Sequence, residues 1–383
     1  MPAMTVLRSF ALLFLVFVVA AAPADAQRVA KYGADFLAGG VGGRALGMGG
    51  AYVALANDVT AGYWNAAGLS QTAYPEVAYM HAERFSGVVQ FDYGAGVFPI
   101  NARSTVGISF FRSGVDDIAD TRAATNPVTG GPRANAGDLI TLFSAADYAF
   151  TVSYARQLRP NLSVGATAKV IRRGIGDFAN AWGYSADIAA RYEVGRLIFG
   201  LNLQDITGML QSWSINESTY NASAAVGDDG EPIPYDQIDE ATGLGLPEGG
   251  AEIVLPVARF GTGVTLPLTQ DIGFAAGIDL DFAFDGQRAY AFNAGDVSFH
   301  PRLGTELTYR GVVALRAGIS DVTSSERFGT QVTPTMGAGL NVGAFNVDYG
   351  FGDFGGVRAE LGYSHRVALK YTFTQDRLAR ANR

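Results

Sequence analysis

From about residue 77 to residue 373, apolar residues fall at every second position in one run after another. Leu162, Val164, Ala166, Ala168 and Val170 alternate with Ser163, Gly165, Thr167 and Lys169. Ile272, Phe274, Ala276, Ile278, Leu280 and Phe282 alternate with Gly273, Gly277, Asp279 and Asp281. Near the end, Tyr363, His365, Val367, Leu369, Tyr371 and Phe373 oppose Ser364, Arg366, Ala368, Lys370 and Thr372. A period of two places each set on its own face of a strand. The chain must therefore build sheets with two unlike faces.

A soluble sandwich buries its apolar face in a core, whereas a membrane barrel turns that face to lipid and the polar face to the lumen. Length and spacing favour the barrel. Fourteen segments alternate: 77–84, 88–98, 104–113, 147–157, 162–173, 183–193, 197–205, 253–266, 271–282, 298–308, 312–319, 336–342, 345–352 and 361–373. Most have the length a tilted strand needs to cross a bilayer. Aromatics such as Tyr184, Tyr192, Tyr363 and Phe373 stand at strand ends, where interfacial girdles belong. The connections 99–103, 158–161, 194–196, 267–270, 309–311 and 343–344 are short. Those at 114–146, 174–182, 206–252, 283–297, 320–335 and 353–360 are longer, and 85–87 is the exception. Outer-membrane barrels have this asymmetry, with short periplasmic turns and long outer loops. The expectation is an all-β, transmembrane, antiparallel β-barrel of about fourteen strands, with twelve and sixteen as the neighbouring counts.

Arg8, the apolar run 10–22 and Ala24-Asp25-Ala26 read as a secretory signal cleaved before Gln27. The domain reading is signal peptide 1–26, glycine-rich segment 27–76, barrel 77–373 and periplasmic tail 374–383. With no cysteine in the chain, a lipid-anchored lipoprotein and a disulfide-stapled domain are both excluded. The net charge of −8 argues against a nucleic-acid partner.

Seven glycines fall between Gly39 and Gly50. So much glycine suits neither a helix nor a central strand, and it lets backbone pass through crowded places. The motif residues are Gly43, Arg44, Gly47, Gly49, Gly50, Asp58, Trp64, Asn65, Gly68 and Leu69. Together they resemble the N-terminal hatch of FadL-like outer-membrane barrels, in wording nearest the PorV/PorQ-type branch. Members usually carry Asn-Pro-Ala-Gly-Leu where this chain has Asn65-Ala66-Ala67-Gly68-Leu69. The resemblance implies a hatch lying inside or beneath the barrel.

The charged residues expected to face the lumen are Lys169, Asp187, Arg191, Asp279, Asp281, Arg302, Glu306, Arg316, Arg366 and Lys370. Their mixed signs suggest a network that pairs across the lumen and with Arg44 and Asp58 of the hatch, rather than an open ion path. Pro256 and Pro301 lie near the outer ends of strands. A closed barrel has no edge to hide a proline, so each should mark a bulge or the first paired residue and shape the rim or a lateral opening.

Catalytic chemistry finds little support. His81, His300 and His365 do not stand at metal-ligand spacing, and no Gly-x-Ser-x-Gly elbow occurs. The glycine run lacks the strand and helix flanks of a dinucleotide site. Asp228, Asp229 and Glu231 read as a solvated acidic loop sooner than a calcium loop. No catalytic, cofactor or metal role is expected. The partners in view are outer-membrane lipid and one of two cargoes. The hatch wording and the ending Gly362-Tyr363-Ser364-His365-Arg366-Val367-Ala368-Leu369 are both nearer the PorV type. That resemblance implies the main expectation, with the channel that follows as its alternative: a non-enzymatic carrier that escorts secreted proteins from the type IX translocon to surface attachment, binding their C-terminal domains. The FadL-like resemblance implies a diffusion channel for hydrophobic small molecules such as long-chain fatty acids.

Overall fold

The alternation resolves into a ladder that closes on itself. A computed structural model describes residues 35–84, 87–125, 131–216, 219, 250–284, 292–295, 297–325, 329–352 and 364–374. Its strands are β1 (Glu76–Arg84), β2 (Val89–Asn101), β3 (Ser104–Asp120), β4 (Thr141–Arg159), β5 (Leu162–Ile175), β6 (Ala179–Val194), β7 (Leu197–Gln204), β8 (Met209–Ile215), β9 (Gly250–Val254), β10 (Val257–Pro267), β11 (Ile272–Ala283), β12 (Phe292–Ala294), β13 (Val297–Tyr309), β14 (Val313–Ser325), β15 (Gly329–Val342), β16 (Phe345–Gly352) and β17 (Ser364–Thr372). All pairing among the described strands is antiparallel, and β1 pairs with both β2 and β17, so the wall closes on itself.

Fourteen strands make the closed wall. β7 pairs with β10, and β11 with β13. β8 and β9 continue β7 and β10 upward, because β8 pairs with the upper part of β6 and with β9. β12 is a short flap on β13. The burial of β6 alternates along nearly its whole length, with Tyr184 and Ile188 exposed while Ser185 and Asp187 are buried. Apolar residues face outward and polar residues inward, as a lipid-facing band requires.

Two sequence expectations need correction. Strands run further at the long-loop end than the alternation indicates: β3 continues to Asp120, β4 starts at Thr141, and β5 and β6 are joined by a turn at 176–178. Much of the expected loop at 320–335 is likewise strand, in β14 and β15. These extensions are rich in Gly, Asp and Ser, so backbone pairing carries them with little apolar pattern to show for it. The second correction concerns which face is oily. On β1 to β3 the inner face holds Met80, Ala82, Phe91, Tyr93, Val97 and Phe111, all buried. On the outer face of the same strands, Asp92 accepts from Tyr79 at 2.7 Å and lies 2.9 Å from His81 Nδ1. The signal segment 1–26, the acidic residues Asp228, Asp229 and Glu231, and the tail beyond residue 374 lie outside the described residues.

The inward apolar residues of β1 to β3 have a partner. The N-terminal segment 35–75 fills the barrel as short turns: a 3-10 turn Asp35–Leu37, helices Gly43–Gly47 and Ala61–Trp64, and a 3-10 turn Ala66–Gln71. Phe36, Val41, Met48, Tyr52, Leu55, Trp64 and Leu69 of this plug form one buried cluster with the wall residues Met80, Phe91, Tyr93, Phe111 and Ile171. Phe111 meets Phe91 edge-on, with ring centroids 4.3 Å apart, and Phe36 at 6.0 Å.

Candidate functional site

The plug is held by charge and by backbone contact. Arg44 Nε and Nη2 donate to the two Glu306 carboxylate oxygens at 2.9 and 2.8 Å. Glu306 also accepts from Arg316 at 2.6 Å, and Arg316 reaches Asp348 at 2.7 Å. Asp279 accepts the backbone N–H groups of Tyr52 and Val53 at 2.7 and 2.8 Å, which caps a turn of the plug from the wall. Arg366, about 1% exposed, donates to the carbonyls of Gly40 and Gly39 at 2.8 and 2.9 Å. Asp58 accepts from Thr60 N and Thr60 Oγ1 and lies 3.3 Å from Lys370 Nζ. Burial pushes the Asp58 carboxyl up, and the Lys370 ammonium with the Thr60 bonds more than reverses this, so it lies below the ordinary carboxylate range.

The other inward charges pair within the wall. Asp281 faces Arg302 at 2.9 Å and Arg259 at 3.2 Å, and Arg302 lies 3.3 Å from His300. Arg191 pairs with Glu193 on its own strand. Lys169 lies 2.7 Å from Asp187 and 2.6 Å from Asp205.

The Asn65-Ala66-Ala67-Gly68-Leu69 turn is locked without proline. Asn65 holds extended backbone, at φ −164° and ψ 99°, the region a following proline would impose. Here its side chain does that work. It donates to Val53 O at 2.9 Å and Ala190 O at 3.1 Å, and accepts from Ala67 N at 3.1 Å. Trp64 Nε1 donates to Val41 O at 2.9 Å.

Wall glycines form the seat. Gly200, Gly261, Gly277, Gly304 and Gly318 lie on five successive strands, from β7 to β14, with Gly200 opposite Gly261 and Gly277, Gly304 and Gly318 cross-paired in turn. A Cβ on Gly304 would stand 2.2 Å from the Met48 carbonyl oxygen, and one on Gly318 2.5 Å from Gly49 N. From the other side, Gly49 has φ +64°, and a Cβ there would lie 2.4 Å from Ile319 O. Backbone meets backbone, which glycine on the wall allows, with a second glycine on the plug side at Gly49. This belt lies toward the short-turn ends of its strands, so the plug occupies that half of the barrel.

Both prolines adjoin breaks in the ladder. Pro256 stands between β9 and β10, opposite the break at 205–208 between β7 and β8. Asp205 takes φ +53° there, and it is fixed by Ser185 Oγ at 2.6 Å and by its own N–H donated to Asp187 at 2.8 Å. Pro301 pairs with Leu280 in regular register, without a bulge, while its ladder toward β14 begins at Leu303 opposite Ile319. A residue with no N–H ends pairing on one side only.

At the opposite end from the seat, a cavity of about 450 Å³ lies among the tops of β3 to β6, β8 and β9. Phe143, Ile175, Phe178, Trp213 and Ile215 supply its apolar lining, with Asp120, Arg122 and Glu252 as the charged members. Its size is ordinary for a small-molecule site. Phe143 and Phe178 meet edge-on at 5.1 Å. The sequence gives no sign of this cavity. Its residues come from six strands and the turns beside them, and on every one of those strands they lie in extensions or continuations that the alternation does not reveal.

No family model matches the chain, and no curated protein matches its sequence. Solved structures do match its fold. A crystal structure of the Pseudomonas putida toluene transporter TodX superposes with a TM-score of 0.55, covering 88% of this chain and 100% of that one at 12% identity. The CymD monoaromatic hydrocarbon channel gives a TM-score of 0.51, covering 88% and 98% at 14% identity. The chain has a FadL-like barrel fold. Within that fold, the plug seat and the cavity stand at opposite ends of one lumen.

Proposed function

We propose that this FadL-like barrel is an outer-membrane channel, without enzymatic activity, that admits small hydrophobic molecules from the long-loop side. The carrying observation is the cavity lined by Phe143, Phe178, Trp213, Ile175 and Ile215 above a seated plug. An apolar guest leaves water there, and each Å² of apolar surface it hides contributes roughly 25 cal/mol. The outward apolar band supports a wall set in lipid, and the solved neighbours of this fold include a toluene transporter and a monoaromatic hydrocarbon channel.

The carrier reading for secreted proteins stands second. It rests on the hatch wording and on the run from Gly362 to Leu369, of which Gly362 and Tyr363 lie outside the described residues. A cavity of about 450 Å³ suits a small molecule and not a folded cargo domain.

The test is uptake of labelled ethylbenzene by Gram-negative cells that express the chain or its Ile215→Arg variant. Wild type should take up the hydrocarbon several-fold faster than the variant and than cells without the protein. Equal rates in all three would overturn the channel reading. Specific retention of secreted proteins that share a C-terminal sorting domain would move the carrier ahead.

A further inference from the structure

Among the described residues, each charge at the aromatic cavity already has its opposite. Arg122 donates through Nε and Nη2 to Asp120 at 2.9 and 2.7 Å, and its guanidinium stacks 4.1 Å from the Phe178 ring centroid. Glu252 lies 3.6 Å from Arg173, which also holds Asp147 at 2.9 Å and stacks over Trp213 at 5.2 Å. The arginines are thus spent in two directions: their edges meet carboxylates and their faces meet aromatic rings.

We infer that the cavity takes uncharged hydrophobes of about aromatic-ring size, and that Asp120 is the residue that turns carboxylates away. This inference rests on the channel reading. Among the described residues, Arg122 is the cation in the cavity lining, and a carboxylate guest would bind it by the same two-point geometry that Asp120 uses. To do so it must displace Asp120 and leave a second anion beside it. The alternative is to bring an unpaired charge among Phe143, Phe178 and Trp213, which is strongly unfavourable. A neutral guest meets neither obstacle. The rings offer it faces and edges, and it displaces neither ion pair when it enters. Asp120 therefore acts as a built-in competitor that occupies the anion position. Hydrophobes and their acids share a carbon skeleton, so selection between them must come from charge, and this pair supplies it.

The experiment compares two probes of nearly equal shape, 4-ethyltoluene and 4-ethylbenzoate, on the full-length protein in lipid nanodiscs at neutral pH. Binding is read from tryptophan fluorescence, with Trp213→Phe identifying the cavity signal. Wild type should bind 4-ethyltoluene saturably and 4-ethylbenzoate at least tenfold more weakly. Asp120→Asn should raise the benzoate-to-hydrocarbon affinity ratio at least tenfold. Adding Arg122→Gln to that variant should bring the ratio back, which separates loss of selection from loss of fold. Equal binding of the two probes by wild type, or an unchanged ratio in Asp120→Asn, overturns the inference and leaves the channel reading standing. If neither probe alters the Trp213 signal, the cavity is not a ligand site and both readings fall together.

Discussion

Arg44 and Glu306 meet through two hydrogen bonds of 2.9 and 2.8 Å, across 262 residues of chain, and so tie the plug to β13 near its short-turn end. Arg44→Ala removes that tie but leaves Glu306 facing Arg316. We therefore expect a loss of roughly 2 kcal/mol in plug docking, below the 3–5 kcal/mol typical of stripping a buried ion of its partner. Limited proteolysis in detergent should show residues 35–75 cut sooner while the barrel stays folded. Unchanged cutting would show that the pair adds nothing to docking.

Gly304→Ala puts a methyl group against the Met48 carbonyl, where overpacking typically costs about 1–3 kcal/mol. Gly273→Ala is the comparison, because the nearest atom to its added Cβ is 3.9 Å away. Heat-modified mobility on gels should fall by several degrees for the first and stay near wild type for the second. Equal shifts would remove the special role of the belt.

Lys169→Met leaves Asp187 and Asp205 buried side by side without a cation. The expected loss is about 3–5 kcal/mol, concentrated where β7 breaks from β8. Hydrogen exchange should quicken at 204–209 before it changes at β15. A uniform change along the wall would contradict this placement.

The Asp58 carboxyl lies below its ordinary range, so its contribution is present above about pH 4 and is lost as the pH falls through the lowered folded value. The groups that face it are Lys370 and Arg44, with Glu76 accepting Val59 N alongside. Plug protection from protease should hold from pH 7 to pH 5 and weaken below about pH 4. Asp58→Asn should flatten that dependence. A variant that keeps the full acid response would place the effect elsewhere.

Much of the wall is legible in the chain because lipid imposes a strict rule on each exposed position. Leu162 to Val170 and Ile272 to Phe282 show both strand and face. The rule lapses where lipid does. At the long-loop end, β3 past Ser113 and β4 before Asp147 show no sustained apolar alternation, so their pairing cannot be read. On β1 to β3 the plug supplies an oily surface inside, and Phe91, Tyr93 and Phe111 turn toward it. Their pattern reads as strand, but its polarity does not tell inside from outside. The seat was half visible. Arg44 and Asp58 stand out as charges in an apolar run, whereas Gly304 and Gly318 look like ordinary strand glycines until Met48 and Gly49 are placed against them. The cavity lies furthest from view, because Asp120, Phe178 and Trp213 are far apart in the chain and meet only through the curvature of the wall from β3 to β8.

The meeting of Gly304 with Met48 and of Gly318 with Gly49 also limits how such a chain can drift. A methyl gained on the wall has nowhere to go, because what it meets on the plug is backbone, which no change of side chain draws back. Seat and plug are bound to inherit their smallness together, so an exchange of plugs between distant members of such a lineage should fail even where each barrel is sound.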